Sequence, residues 1–509
     1  MARPRVLGVV LALITAVGAG AQTVNGTLWG TVRDEAGALI PNAEVSARNA
    51  ETGVVRATLA DRTGSYRIAS VPAGPYEVTA SAQGFKTEVH RSVSVTVGAD
   101  VKVNFVLGVG ALEEKVVVSG EAPQVDTTTS TMGGLVGEVT IRELPLNGRD
   151  WLQLAVLQPG ATLVAVQSQR DDQRMSRGNG QAISISGGRT AENVYRIDGL
   201  VINDFTNSSP GSSLGVNLGV DAIREFTVLT DTYSAEYGRS SGGVINAITK
   251  SGANDLHGTA FYFHRNSALD APNFFDVTKP PFHRHQFGGS VGGPIRKDKT
   301  FFFVSYEGLR ELKSLSFSSN TLSPSARNGI LSSGAPVTID PRIRPYLALY
   351  PIPNGPITGD TGKYIFGGGR DGTEDFVIAR VDHTVSPKTT LSATYRFDRA
   401  QVSAPDAFNE KLLAEQSRHY DLVLTLQHIF SSTVVNNVRA GVTRTHETAA
   451  FDVQPRLAEL ADASLGFLPD TPPGDFAVPG LSAWSASTTT WTRGARRTVS
   501  GCSARSGTC

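Results

Sequence analysis

The chain has 509 residues, a length that suits about three or four domains. Its 47 basic and 47 acidic residues balance and charged residues make up only 18%, which removes any electrostatic case for nucleic acid. Both cysteines, Cys502 and Cys509, sit at the C-terminal end, so the body has neither a disulfide framework nor a thiolate metal site. At the N-terminus, Arg3 and Arg5 precede an apolar run from Val6 to Val17, and Ala19-Gly20-Ala21 fits a small-residue cleavage site. Residues 1–21 therefore read as a secretory signal peptide, the run being shorter than the roughly 20 residues of a spanning helix. No later stretch is long and apolar enough to span as a helix, so membrane insertion has to be by a β-barrel.

Residues 23–108 alternate with period two between Gly, Pro and Asp turns: Leu28 to Val32, Ala43 to Arg48, Val54 to Leu59, Tyr66 to Ile68, Tyr76 to Ala82 and Val101 to Leu107. Short strands at this spacing predict a small β-sandwich. Gly30-x-Val32, Ile40-Pro41, Ala43-x-Val45, Asp61-x-x-Gly64-x-Tyr66 and Pro72-x-Gly74-x-Tyr76-x-Val78 resemble the carboxypeptidase regulatory-like family. That resemblance implies a transthyretin-like sandwich, grouped with carbohydrate-binding-like folds. Residues 109–131 read as a linker. Within it Glu114-Lys115-Val116-Val117-Val118-Ser119 is β-prone and flanked by polar residues. Such a run can add as a strand to a partner's sheet edge. It fits equally as the last strand of the sandwich or the first of the next domain.

Residues 132–252 form the next unit. Its best helical segment is Gly148 to Leu157, which Asn147 can cap and Pro159-Gly160 stops, with Leu152, Ala155 and Val156 on one face. Residues 181–252 then carry four short apolar segments joined by turns: Ile183 and Ile185 ending at Gly187-Gly188; Val194 to Ile197 ending at Asp198-Gly199; Ile223 to Val228; and Val244 to Ile248. The strings Ile183 to Gly188, Tyr195 to Gly199, Ile223 to Val228 and Tyr237 to Gly252 resemble the plug domain of TonB-dependent outer-membrane receptors. The closing block, Y-G-x-x-x-G-G-x-I-N-x-x-T-K-x-G, is the most specific. It holds Tyr237, Gly238, Gly242, Gly243, Asn246, Thr249 and Lys250. With the regulatory-like module in front, and with Gly288 to Ile295 and Phe301 to Glu307 behind, the chain is similar to the Oar-like branch.

From residue 257 to 475 the strands lengthen. Leu391, Ala393, Tyr395 and Phe397 alternate with Ser392, Thr394, Arg396 and Asp398. Tyr420, Leu422, Leu424 and Leu426 alternate with Asp421, Val423, Thr425 and Gln427. The segments beginning at Val377 and Asn437 behave alike. Apolar-out, polar-in alternation predicts barrel strands around a wet lumen rather than a sandwich, which buries its inner face. Phe261-Tyr262-Phe263, Phe274-Phe275 and Phe301-Phe302-Phe303 with Tyr306 would suit interfacial girdles. Asn320 to Asp371 reads as one external loop. Residues 476–509 lose the alternation and hold no acidic residue, and read as an aberrant, frameshifted or truncated tail.

No catalytic, cofactor or metal residue is expected. Gly211 to Gly215 and Gly238 to Gly242 match G-x-S-x-G, but neither serine lies between a strand and a helix. Gly367 to Gly372 matches G-x-G-x-x-G without a helix to follow. His283 and His285 share a face without a third ligand. The expected fold is thus mainly β: a transthyretin-like β-sandwich, an α+β plug and the first strands of an outer-membrane antiparallel β-barrel. The resemblance implies an outer-membrane receptor or transporter whose plug is remodelled by a TonB-type energy-transducing protein that pairs with the 114–119 strand. Implied partners are that protein, outer-membrane lipid and a ligand the sequence does not name, carbohydrate being one option. Seven or eight strands fall short of the roughly 22 that enclose a plug, so an incomplete copy unable to transport is expected. The alternative is a secreted or surface carbohydrate-binding protein acting through sandwich aromatics such as Trp29, Tyr66, Tyr76 and Phe85.

Overall fold

The computed structural model describes residues 25–110, 115–119, 132–144, 146–164, 180–204, 207–233, 237–238, 241–271, 279–431, 434–453, 462–466, 477–482, 491–494 and 503–506. The signal peptide, Glu114, Phe274-Phe275 and most of the tail lie outside these residues.

The first unit is a sandwich of β1 (Asn25–Asp34), β2 (Glu44–Asn49), β3 (Val55–Leu59), β4 (Ser65–Pro72), β5 (Gly74–Ser81), β6 (Thr87–Val95), β7 (Asp100–Lys102), β8 (Phe105–Leu107) and β9 (Lys115–Ser119). One sheet runs β4-β1-β7, with β8 also on β1. The other runs β3-β2-β5-β6-β9. Their inner faces bury Leu28, Val32, Val45, Tyr66, Tyr76, Val78 and Phe105 as one core. β6 escapes the sequence pattern because Ser92 takes φ 61° and the pairing with β5 slips between Tyr76 and Val78. A bulge of this kind breaks strict alternation.

The second unit comprises β10 (Met132–Gly137), α1 (Glu138–Glu143), β11 (Ala161–Leu163), β12 (Ile183–Ile185), β13 (Val194–Ile197), β14 (Leu200–Val201), β15 (Ile223–Asp231) and β16 (Val244–Thr249). Its mixed sheet has the order β10-β15-β16-β13-β14, with β13 and β16 parallel. The expected helix is present in a different form. Asn147–Arg149 and Trp151–Leu157 are two 3₁₀ turns; the first contains Gly148 at φ 76°, and extended Asp150 separates them. Asp150 caps the second by accepting from Leu152 N–H at 3.1 Å. At three residues per turn, Trp151 stacks above Leu154 and Leu152 above Ala155, and all four are buried. Val156, expected on that face, is only half-buried. Trp151 packs against Phe226 at 5.2 Å between ring centres, over a core that includes Ile183, Tyr195, Val228 and Ile245. Burying each of these side chains stabilises the unit by roughly 1.5–3 kcal/mol.

The third unit is one antiparallel sheet: β17 (His257–Asn266), β18 (Phe282–Arg296), β19 (Thr300–Leu322), β20 (Ile357–Thr358), β21 (Thr361–Ser386), β22 (Thr389–Pro405), β23 (Lys411–Ile429), β24 (Val434–Val453), β25 (Trp491–Gly494) and β26 (Ser503–Ser506). The long strands follow in chain order. β25 and β26 both pair with β24. Among the described residues β17 pairs with β18 alone, so the sheet is open. β19 and β21 stay paired from Thr300↔His383 to Leu322↔Thr361, with Phe317 stacked on Phe366. The loop expected over Asn320 to Asp371 therefore shrinks to residues 323–360. The Gly367 to Gly372 run lies within the ladder.

Alternation resolves into two faces. Leu391, Tyr395, Leu422, Leu424, Leu426 and Val442 are exposed on the convex side, whereas Thr394, Arg396, Asp398, Asp421 and Gln427 are buried on the other. The girdle expectation is corrected at Phe301 and Phe303, which are buried toward the plug, while Tyr262 and Tyr306 face outward. No described helix is long and apolar enough to cross a membrane.

Candidate functional site

The functional surface is the contact between the second unit and the inner face of the barrel sheet. It begins with local turns. Asp198-Gly199 joins β13 to β14 with φ 49° and 81°, the two positive values of a type I′ hairpin, which Gly199 adopts without strain. That turn projects the Asp198 carboxylate. Its Oδ1 accepts Thr249 N–H at 3.0 Å, and its Oδ2 accepts the hydroxyls of Thr249 at 2.7 Å and Thr394 at 3.0 Å. Arg380 on β21 donates to Thr249 O and Oγ1, both at 3.0 Å, lies 3.5 Å from Asp198 and is held bidentately by Asp382. The adjacent C-terminal ends of the parallel strands β13 and β16 are thereby tied to each other and to the wall.

A second cluster forms around Arg149. Its Nε donates to Glu307 Oε1 at 3.0 Å and its Nη2 to Asp221 Oδ2 at 2.6 Å. Glu307 also accepts from Gln286 at 2.7 Å and from Gly219 N–H at 3.0 Å. The guanidinium lies 4.1 Å from the ring centre of Phe261, which therefore faces the plug rather than lipid. Gly219 takes φ 104°, and a Cβ there would lie 2.7 Å from Phe376 Cζ, so only glycine permits this approach. Around it Leu214, Leu218 and Ala222 of the plug pack on Phe303, Leu309, Ile378 and Val402 of the wall. The Gly211 to Gly215 serines have a docking role: Ser212 Oγ donates to Glu374 at 2.6 Å, and Ser213 N–H donates to Ser417 Oγ at 2.9 Å.

The other motif residues support the plug's own fold. Gly188 O accepts from Ser184 Oγ at 2.8 Å, and Gly187 lies in the turn after β12. Gly243 N–H donates to Asn193 Oδ1 at 2.9 Å, and Gly242 O accepts from Tyr233. Tyr237 is buried and Gly238 exposed beside it. Asn246 is buried mid-strand on β16, and Lys250 pairs with Glu138 at 2.9 Å. Of the expected site residues, Asp198 and Thr249 bond side chains of the wall and Gly199 lies against Arg439. The partners Arg149, Asp221, Glu307, Arg380 and Asp382 were not among the expected site residues, although polar inward positions on successive strands are the signal that marks Arg380 and Asp382.

The sandwich closes against the short-turn end of the sheet. Glu51 takes both terminal nitrogens of Arg224, at 2.9 and 3.0 Å. Val97 N–H donates to Glu225 Oε1 at 2.6 Å. Arg56 and Ser70 bond Gln427 of the barrel. A cavity of about 150 Å³ remains where the three units meet, lined by Glu51, Arg56, Tyr76, Arg224, Thr249 and Arg380 among others. Burial raises the Glu225 carboxyl above its ordinary range, against the opposing effects of the Val97 N–H and Arg224. Burial raises Asp150 further, to about 7, opposed mainly by the Leu152 N–H.

Lys115 to Ser119 form β9, parallel to Thr87 to Arg91 at the edge of the sandwich. Val117 remains exposed there. No group of three His, Cys, Asp or Glu among the described residues is arranged to hold a metal.

A ten-stranded antiparallel sheet with a lipid-compatible outer face and a polar inner one agrees with the family comparison. Residues 248–502 match the outer membrane beta barrel domain. The chain belongs to that family. Membership places it in the outer membrane. Residues 27–108 match the carboxypeptidase regulatory-like domain. The chain is 30% identical over 324 residues to the TonB-dependent transporter Oar of Myxococcus xanthus, covering 59% of this chain and 28% of that protein. It thus spans little more than a quarter of that relative. Among solved structures it is similar to the outer membrane transporter YddB of Escherichia coli, with TM-score 0.43, 14% identity, and coverage of 62% and 39% of the two chains. It is also similar to a mutant of the ferric enterobactin receptor PfeA of Pseudomonas aeruginosa, with TM-score 0.39, 14% identity, and coverage of 64% and 42%.

Proposed function

We propose that this chain carries the gating part of a TonB-dependent outer-membrane receptor or transporter, with residues 132–252 as the gate. The observation that carries the reading is the polar lock between plug and wall. Besides the apolar contact of Leu214, Leu218 and Ala222, the plug is held by Arg149–Glu307 and Asp198–Thr249–Arg380, directional contacts that a small displacement of a few groups breaks. The likeness to the Oar transporter supports the same reading. Tyr66 and Tyr76 lie in the sandwich core, which does not favour the carbohydrate-binding alternative.

In this reading a cleaved leader exports the chain, and β9 is the strand a TonB-type protein takes by edge pairing. While docked on β6 it is sequestered, so pulling on it loads the sandwich. The sandwich in turn is tied to the plug through Glu51–Arg224 and Val97–Glu225. Force would reach the plug sheet through β15, which carries both Arg224 and Glu225. The test is binding of the periplasmic domain of a TonB-type protein to the purified full chain. Val117→Pro, which removes a strand N–H, is expected to weaken binding at least tenfold. Equal binding by the variant would overturn the assignment of β9.

A further inference from the structure

The outward face of the sheet repeats one pattern on three neighbouring strands. β22 presents Leu391, Ala393, Tyr395, Phe397 and then Arg399. β23, read upward, presents Leu426, Leu424, Leu422, Tyr420 and then Arg418. β24 presents Val438, Ala440, Val442 and then Arg444 and His446. Short turns mark the periplasmic end and longer loops the outer one. Each arginine lies about ten residues above its short turn. At about 3.3 Å per residue and a tilt of about 40°, that is a height of roughly 25 Å, the top of the apolar band.

These arginines are adjacent. Arg399 stands directly opposite Arg418 across the β22–β23 pair, and Arg418 opposite His446 across β23–β24. Arg444, opposite Tyr420, is the diagonal neighbour of Arg418. Like charges placed in this way repel. The nearest outward carboxylate, Asp375 opposite Arg399, is already engaged by Arg310 and by the Tyr306 hydroxyl, both at 2.8 Å. The outward positions of the three strands from Ala393 to Gln401, Gln416 to Leu426 and Val438 to Thr448 carry no acid. No ion pair joins any of the three arginines to another described residue.

We propose that Arg399, Arg418 and Arg444 form a binding site for the phosphate of a lipid headgroup in the outer leaflet. Three guanidinium forks lie within two strand spacings, about 10 Å, and a phosphate accepts such forks bidentately. An apolar floor of Phe397, Tyr420 and Leu422 directly below fits acyl chains. That floor selects a lipid over a free anion. The inference rests on membership of the outer-membrane family and is independent of plug release or partner binding, so either can fail without the other.

The test is native mass spectrometry of the full chain folded in detergent micelles doped with phosphatidic acid or phosphatidylcholine. Retention of phosphatidic acid is expected to exceed that of phosphatidylcholine on the order of 100-fold, from three basic groups near a membrane surface. It should fall to the phosphatidylcholine level in R399Q/R418Q/R444Q and only part of the way in R399K/R418K/R444K, which keeps the charge and loses the forks. All three positions are outside the core, and far-UV circular dichroism checks each fold; if the triple variant does not fold, R418Q alone should lose at least fivefold. Equal retention of the two lipids, unchanged retention in the glutamine variants, or displacement by inorganic phosphate at the lipid's own concentration would overturn the proposal.

Discussion

Replacing Arg149 by Met tests the lock where its energy is concentrated. The side chain faces Glu307, 1% exposed, and Asp221, 6% exposed. Removing the cation leaves two buried carboxylates without their shared counter-charge. Breaking a buried pair from one side costs about 3–5 kcal/mol. Gln286 and the Gly219 N–H still serve Glu307, which puts the expected loss near the lower end, about 3 kcal/mol. Adding Glu307→Gln removes one stranded charge and should recover about half, a coupling of at least about 1.5 kcal/mol. Native-state hydrogen exchange at the Phe226 and Ile245 amides reads the opening free energy of the plug sheet directly. A loss below about 1 kcal/mol in the single variant, or additive effects in the pair, would refute the lock.

Three further outcomes follow from the same contacts. Burial raises Asp150 from 3.8 to about 7, so its contribution to plug stability is present below about pH 4 and lost as pH rises through about 7. Three units at about 1.36 kcal/mol each make about 4 kcal/mol, and denaturant titrations of Asp150→Asn should lack that decline; parallel curves would contradict it. Glu51→Ala should loosen the sandwich by only about 1 kcal/mol, because Glu51 is 38% exposed, and should raise proteolytic cleavage between sandwich and plug. Gly219→Ala combines a positive φ with a clash on Phe376 and should lower the thermal midpoint, at a cost on the order of 1–3 kcal/mol.

The parts of this molecule legible in the sequence are those set by local alternation and turn chemistry. Asp198-Gly199 reads as a hairpin turn because its two residues must both take positive φ, and it is one. Leu391 to Asp398 reads as a two-faced strand because period two is local. What was not legible depends on pairing. Nothing near Arg149 in sequence announces Glu307, 158 residues away. The 3₁₀ turns at 147–157 look like one helix because i, i+3 spacing suits both kinds of helix, and the positive φ of Gly148 and the extended Asp150 that break it are single dihedrals the spacing does not show. Phe301 and Phe303 look like girdle residues until the register of β19 turns them inward. The outer ends of the strands around Asn320 to Asp371 look like loop because Gly, Pro and Ser mask a ladder that backbone pairing and the Phe317–Phe366 stack maintain.

The central claim is that force enters through β9 and reaches the plug through the sandwich. Hydrogen exchange of the full chain, with and without the periplasmic domain of a TonB-type protein, measures this at two places. If the partner takes β9, the Lys115–Ser119 amides should stay protected, while the amides of Thr87–Arg91 that face β9 lose protection and those bonded to β5 keep it. A partner that binds with Thr87–Arg91 unchanged would contradict the account.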